Sequence, residues 1–416
     1  MLLLARRAAW RIRDPRFALR DSLPPLPSPP RYAEPAWRLR YRALRTVAGN
    51  CTSLATALAD SAWPVRLRAL DVLTPPCSDA GVLQTLRAWV DDVPADASRR
   101  ERGAVSWHAA AHSILALARL RDDGARDRVV RLSTHAQPEL RVYAARAAAI
   151  LADTQLLRAF DHDPDDNVKE AAIDALSKLT GHASDSLYIG ALSSSGAPAV
   201  RAAALALVGS PVPGLRARLD TTFERWVARG NASERDVRVA LLQAAGRPAS
   251  DDRPPSTMAP LPASAVALAL GQPRQLVVLM SPASGGGSFT IRLRGDVAPI
   301  MASRVLQLAK SGYYDGGHWH RVEPDFVIQG GGPGTNEYVG YREYLRDELG
   351  TVPHMRGTVG MSTRGHDSGD AQWFINLKDN LRLDADYTVF AEVVSGIDVV
   401  DGILEGDTID RVYEVP

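Results

Sequence analysis

The sequence predicts a two-part fold: an all-α array of stacked helix pairs, then an antiparallel β-barrel with one or two helices. Three observations carry this. First, "LRVYAARAAAIL" from Leu140, "VKEAAIDALSKL" from Val168 and "VRAAALALVG" from Val200 repeat one pattern. Each starts with an aliphatic and a basic residue, then places Ala where two helices would touch. Second, "RPASDDRPPSTMAPLP" (247–262) is rich in Pro, Ser and Asp and has no helical period, which marks a linker. Third, the period changes to two in "QLVVLM" and "SFTIRLRGD", as strands require.

The elements follow in chain order. "ARRAAWRIRDPR" reads as the tail of a helical repeat, and "LPPLPSPP" (23–30) as an extended Pro-rich spacer. Together, residues 1–34 form an N-terminal segment. From 35 to 246 the repeat pattern dominates. "PVRLRALDVL" from Pro64 and "VRVALLQAAG" from Val237 extend it at either end. Val168, Ala171, Ala172, Ala175, Leu176 and Leu179 fall at the spacing of one helix face. "DHDPDDN" and "SSSGAP" supply caps and breaks between units. Residues 247–275 are the expected linker and 276–416 the barrel domain. In that domain "APIMASRVLQLAKSG" opens with Ala298-Pro299 and closes at Gly312, so it reads as a helix. "YTVFAEVV" (387–394) alternates as a strand. A barrel would close off exposed edges.

Composition narrows the function classes. With 416 residues, 45% of them hydrophobic, both halves can bury a core. The formal net charge of +1 gives no electrostatic footprint for nucleic acid. Positive charge is nearly all Arg, with Lys only at Lys169, Lys178, Lys310 and Lys378, and Ala is abundant, as in a GC-rich bacterial genome. Cys51 and Cys77 form no CxxC pair, so they read as two structural thiols without a disulfide framework or zinc site. No apolar run is long enough to cross a membrane, and "MLLLARR" is too short for a secretory signal. The sequence as given therefore implies the cytoplasm, or the periplasm or exterior if the true start lies upstream.

The repeat pattern over residues 35–246 resembles HEAT repeats of the short bacterial kind. One helix pair cannot bury its own apolar face, so such pairs stack into a solenoid. The resemblance implies a surface for a protein partner; a compact all-α domain without one is the plainer alternative.

Three ordered blocks carry a second resemblance: "GSFTIRLRGDVAPIMASRVLQLAKSGYYDGGHWHRVEPDFVIQGGG" (287–332), "GTVGMSTRGHDSGDAQWFIN" (357–376) and "LDADYTVFAEVVSGIDVVDGI" (383–403). They closely resemble the cyclophilins. The resemblance implies a closed eight-stranded barrel capped by two helices, and peptidyl-prolyl cis–trans isomerase activity on proline-containing polypeptide clients, without a cofactor or metal. Residue by residue, Arg321 matches the catalytic arginine. Phe326 and Phe374 match the aromatic walls of the proline pocket, and Leu383 its aliphatic wall. Gln329 matches the glutamine that orients the arginine, and Gln372 a further polar group of the pocket. Ser362 and Thr363 stand where the family's backbone pairs with the peptide. Val327 replaces a common methionine and Tyr387 a frequent histidine. Arg382 stands where many eukaryotic members have the tryptophan that matters for cyclosporin.

The chemistry fits these residue types. Rotating an Xaa-Pro bond breaks no covalent bond, so no nucleophile is needed. The barrier of about 18–20 kcal/mol is amide resonance. Twisting localises a lone pair on the prolyl nitrogen, and a cationic fork can donate to it only in the twisted state. Arg stays charged and carries several rigid donors.

Rival motifs are weaker. His318 and His320 lack a third metal ligand at a fitting spacing. "QGGGPGTN" (329–336) lacks the Lys-Ser/Thr of a phosphate loop. "DHDPDDNVKEAA" (161–172) lacks the Gly and Glu of a calcium loop and reads as a capped turn. His108 and His112 enclose Ala109 where a zincin needs Glu, so they read as solvent or groove histidines. Two function classes remain: a prolyl isomerase whose helical region holds clients, and a non-catalytic scaffold that only grips proline segments.

Overall fold

The computed structural model describes residues 31–47, 50–95, 106–253 and 263–415. The repeat tail and Pro-rich spacer expected before residue 31 lie outside the described residues, as does 254–262 of the expected linker.

The helical region begins with α1 (Trp37–Ala43), α2 (Cys51–Leu58), α3 (Trp63–Val72), α4 (Ala80–Asp91), α5 (Trp107–Arg119) and α6 (Ala125–Leu132). It continues with α7 (Pro138–Ile150), α8 (Thr154–Ala159), α9 (Asp166–Thr180), α10 (Asp185–Ala191), α11 (Ala197–Ala206), α12 (Leu215–Ala228) and α13 (Arg235–Ala244). Short polar side chains start many of them. Asn50, Asp79, Ser106, Asp153 and Asp165 each accept from a backbone N–H in the first turn of the helix that follows. In the stretch that begins like a calcium loop, Asp165 caps α9 and Asp163 takes the buried Arg141 in two bonds of 2.8 and 2.9 Å.

Two layers result. Helices α3, α5, α7, α9, α11 and α13 pack side by side in one row. Five others lie behind: α4 on α5, α6 on α7, α8 on α9, α10 on α11 and α12 on α13. Buried alanines at the contacts, including Ala144, Ala147, Ala148, Ala202 and Ala203, let neighbouring axes approach closely. This arrangement is consistent with helical repeats. The row contains the repeat segments read from the sequence, and it adds α5, which that pattern did not pick out.

Cys51 and Cys77 are joined as a disulfide, with Cα atoms 5.4 Å apart, and so are not separate thiols. Their separation of 26 residues matches no recognisable motif; the fold-back of α2 onto α3 is what brings them within reach.

The C-terminal third of the chain is built on one eight-stranded sheet in the order β3-β4-β6-β5-β7-β2-β1-β8, antiparallel throughout. The strands are β1 (Gln275–Met280), β2 (Ser288–Leu293), β3 (Arg321–Val322), β4 (Val327–Gly330), β5 (Thr358–Met361), β6 (Trp373–Asn376), β7 (Val389–Ser395) and β8 (Ile409–Val415). Helix α14 (Ala263–Leu270) lies within the stretch read as linker and packs on α15 (Pro299–Lys310); α16 (Ile397–Asp401) follows β7.

The expected closed barrel is not formed. The sheet is an open, curled half-barrel whose marginal strands β3 and β8 do not pair. β3 is two residues long, too short for a second ladder; the chain before it, at 316–319, is tied to 406–409 by the bridge between His318 and Thr408 and by backbone hydrogen bonds such as Trp319 N–H to the Asp407 carbonyl. Trp319, Trp373, Phe289 and Phe390 fill the fold of the sheet.

The row of helices faces the sheet domain, and polar contacts fasten the two. Arg38 reaches Asp401 at 2.9 Å, Arg42 reaches Asp325 at 2.7 Å, and Arg364 reaches Asp236 at 2.9 Å. Ala232 N–H donates to the Arg342 carbonyl, and Asn167 Nδ2 to Thr335 Oγ1. His108 is buried here, its Nε2 2.7 Å from the Glu405 carbonyl, so it is an interface residue with no solvent role. No described helix is long and apolar enough to cross a membrane.

Candidate active site

The antiparallel pairing of β3 with β4 sets Arg321 opposite Gln329, and pairing of β4 with β6 sets Gln329 opposite Phe374. One register thus brings the three side-chain types together. Arg321 Nη1 lies 3.5 Å from Gln329 Oε1. The Gln329 amide is itself fixed, with Nε2 donating to Ser362 Oγ at 3.0 Å and to Gln372 Oε1 at 3.2 Å. Gln372 is anchored in turn on the carbonyls of Glu337 and Val339. A chain of amides therefore runs from the 337–339 loop to the guanidinium.

Val327, Phe374 and Leu383 are buried together, with Phe326 and Tyr387 packed against them, as a small cluster separate from the main core. Tyr387 meets the Phe374 ring edge-on at 5.7 Å. Arg382 lies over the Phe326 face at 4.4 Å. Arg321, Phe326, Val327, Gln329, Ser362, Thr363, Gln372, Phe374, Leu383 and Tyr387 all line one cavity of about 540 Å3. Ser362 spends its backbone N–H on the Gln372 carbonyl.

Several contributors escaped the sequence reading. His354 stacks on Phe374 at 5.9 Å, with Nδ1 2.9 Å from Asp384 Oδ1. Burial outweighs that carboxylate and pushes its pKa down, so the ring stays neutral and serves as a flat backing. His320 is held neutral too: burial, then the positive charge of Arg321, lowers its pKa to about 4. Gly360, opposite Phe374 in the β5–β6 ladder, leaves no room for a side chain, since a Cβ there would sit 2.3 Å from Phe374 Cζ. Gly360→Ala is expected to displace the ring, at a cost of about 1–3 kcal/mol in stability, and to weaken proline-peptide affinity. Equilibrium unfolding and peptide titration check this, and a wild-type affinity would show that the ring does not form the pocket.

The far wall of the cavity comes from the helical region: Arg201 and Leu205 of α11, and Asp236, Val239, Ala240 and Gln243 of α13. No local motif could signal these, because they join the site through docking of the two regions. Among the described residues, no three His, Cys, Asp or Glu side chains come together as a metal site would require.

Residues 277–415 match the family model for cyclophilin type peptidyl-prolyl cis-trans isomerases. A peptidyl-prolyl cis-trans isomerase of Helicobacter pylori is 36% identical over 134 residues, 31% of this chain and 83% of that protein. One from Schizosaccharomyces pombe is 38% identical over 135 residues, covering 31% and 87%. Similar relatives thus occur in both bacteria and fungi. A crystal structure of a Cryptosporidium parvum cyclophilin type isomerase aligns with a TM-score of 0.33 and 20% identity, over 35% of this chain and 99% of that one. With a matching family model and relatives covered over most of their length, the chain belongs to the cyclophilin-type peptidyl-prolyl cis–trans isomerases.

Proposed function

We propose that the protein isomerises Xaa-Pro bonds in polypeptide clients at Arg321, with the helical region, which resembles HEAT repeats, as the platform that holds them. The observation that carries this is the single cavity in which Arg321 and Gln329 stand over the pocket of Phe326, Val327, Phe374, Leu383 and Tyr387. The proline ring occupies the apolar cluster. The Gln329 amide aims the guanidinium at the prolyl nitrogen, where it donates as the bond twists. Ser362 and Thr363 hold the flanking backbone, and Gln372, bonded to the 337–339 carbonyls, fixes the Gln329 amide. No cofactor takes part. The full chain should accelerate cis-to-trans conversion of a short Ala-Pro-Phe peptide. Binding without acceleration would transfer the assignment to a non-catalytic scaffold, and absence of both would remove the proline site.

The boundaries that go with this reading are a helical domain over 35–246, a linker over 247–275 and an isomerase domain over 276–416. Two features narrow the linker. Asp252 is bonded to the buried Arg238 of α13 at 2.7 Å, and α14 packs on α15. The Pro- and Ser-rich composition of 247–262, with few apolar anchors, predicts that proteolysis cuts first in that stretch. Mass spectrometry of the first fragments checks this, and early cutting spread through both halves would show the boundary is misplaced.

A further inference from the structure

The cavity that holds the proline pocket is larger than a proline needs, and it does not end at Arg321. A second cavity, of about 1130 Å3, begins on the other side of that residue. Arg321, Glu337 and Tyr338 line both. In the first cavity the helical wall is α11 and α13; in the second it is α7 and α9, through Val142, Arg146, Glu170 and Asp174. The two cavities thus follow the row of helices from α13 back to α7, with the catalytic strand as their common opposite wall.

The walls are tied to each other at fixed points. The Arg201 guanidinium lies 4.2 Å over the Tyr338 ring, Asn167 Nδ2 is 2.8 Å from Thr335 Oγ1, and Arg364 pairs with Asp236 at 2.9 Å. These join the helices to the 335–342 loop and to the segment after β5, so the separation is set by bonded partners from both sides.

We propose that the inner helical row is the second wall of the substrate cleft, and that the site takes an extended, unfolded polypeptide strand with its proline between α13 and the sheet. This rests on the isomerase reading above and adds its substrate class. Neighbouring packed helices stand about 8–10 Å apart, so the three steps from α13 through α11 and α9 to α7 span about 24–30 Å. At about 3.3 Å per residue, an extended strand covers that with about seven to nine residues. Val239 and Gln243 contact the chain beside the proline, and Val142 contacts it at the far end. An extended strand can follow both cavities along their length, whereas a proline in a tight loop of a folded domain presents no such run of extended chain.

The test uses the full chain and three peptides: a tetrapeptide, and two octapeptides with proline near one end or the other. The wild-type protein should turn over at least one octapeptide with a kcat/KM about tenfold or more above the tetrapeptide, mostly through KM. Val142→Trp should bring that ratio close to one. Val208→Trp, an equally bulky change at an exposed position outside both cavities, should leave it as in wild type. Equal turnover of all three peptides by wild type, or a full octapeptide advantage in folded Val142→Trp, overturns the proposal. Methyl resonances of Val142 and Val239 in the wild-type protein give a second reading that needs no variant. They should shift on adding the favoured octapeptide, and unshifted resonances at saturation overturn the proposal as well. If no peptide is isomerised but these methyls shift, the catalytic reading fails while the two-walled cleft stands.

Discussion

Arg321→Ala should lower kcat/KM on a proline peptide by about 10²–10³, the usual cost of losing one preorganised charge-stabilising donor, while peptide affinity stays near wild type. The expectation follows from where the guanidinium acts. In the planar amide the prolyl nitrogen has no free lone pair, so Arg321 gains nothing from the ground state. Only the twisted bond presents an acceptor. Removing the donor therefore raises the barrier without emptying the pocket, whose walls are Val327, Phe374 and Leu383. Arg321→Lys should recover only part of the rate. An ammonium is a point charge without the planar fork, and the fork is what Gln329 Oε1 orients from 3.5 Å. Phe374→Ala is the contrast. It opens the apolar cluster, so affinity and turnover should fall together. Exchange spectroscopy on one peptide, beside titration of each variant, separates the two patterns. Wild-type turnover by Arg321→Ala would leave the catalytic assignment without support.

That the ten candidate residues would meet at one cavity was legible because the information was local. Arg321 to Gln329 spans one hairpin, and Ser362 to Phe374 spans one strand pair, so dense motifs specify both chemistry and register. Helix existence was legible for a similar reason: the Ala-rich faces of α7, α9 and α11 repeat within short windows. What was missed depends on distance or on small geometric facts. Sheet closure fails because β3 has only two residues, which no hydrophobic pattern reveals. The Cys51–Cys77 pairing depends on how α2 folds back. Gly360 and His354 matter through contact with a single ring, and a lone Gly or His in a sequence carries no such label. The helical wall of the cleft needed the docking of two regions, and those contacts join residues more than a hundred positions apart, as between Ser233 and Gly340.

That docking should be the most fragile part of the structure, and Asp401→Asn should expose it. Asp401 is the shared counter-charge of two buried guanidiniums. Arg38, with no exposed surface, gives Nη2 to Oδ1 at 2.9 Å. Arg356 gives Nη1 to Oδ1 at 2.9 Å and Nη2 to Oδ2 at 2.6 Å. Burial already lowers the Arg38 pKa, with the Asp401 charge opposing that shift, so the cation is retained there at the expense of desolvation. Replacing the carboxylate by an amide keeps the shape but leaves two buried positive charges facing each other. Breaking a buried pair in this way costs about 3–5 kcal/mol. Arg38→Met should cost less, because Arg356 still neutralises Asp401 and the thioether chain fills the space. The loss should be local at first. Arg38 also donates to the carbonyls of Pro324 and Leu377, so α1 is what comes free from the loop before Phe326. Amide exchange in Trp37–Ala43 should therefore speed up by about a hundredfold or more in Asp401→Asn, before the sheet itself unfolds. Loosening next to Phe326 should also raise KM for proline peptides. Exchange rates in α1 that match wild type would mean the carboxylate is not what holds the two regions together, and the fastening would have to lie in the Arg364–Asp236 and Asn167–Thr335 contacts at the other end of the cleft.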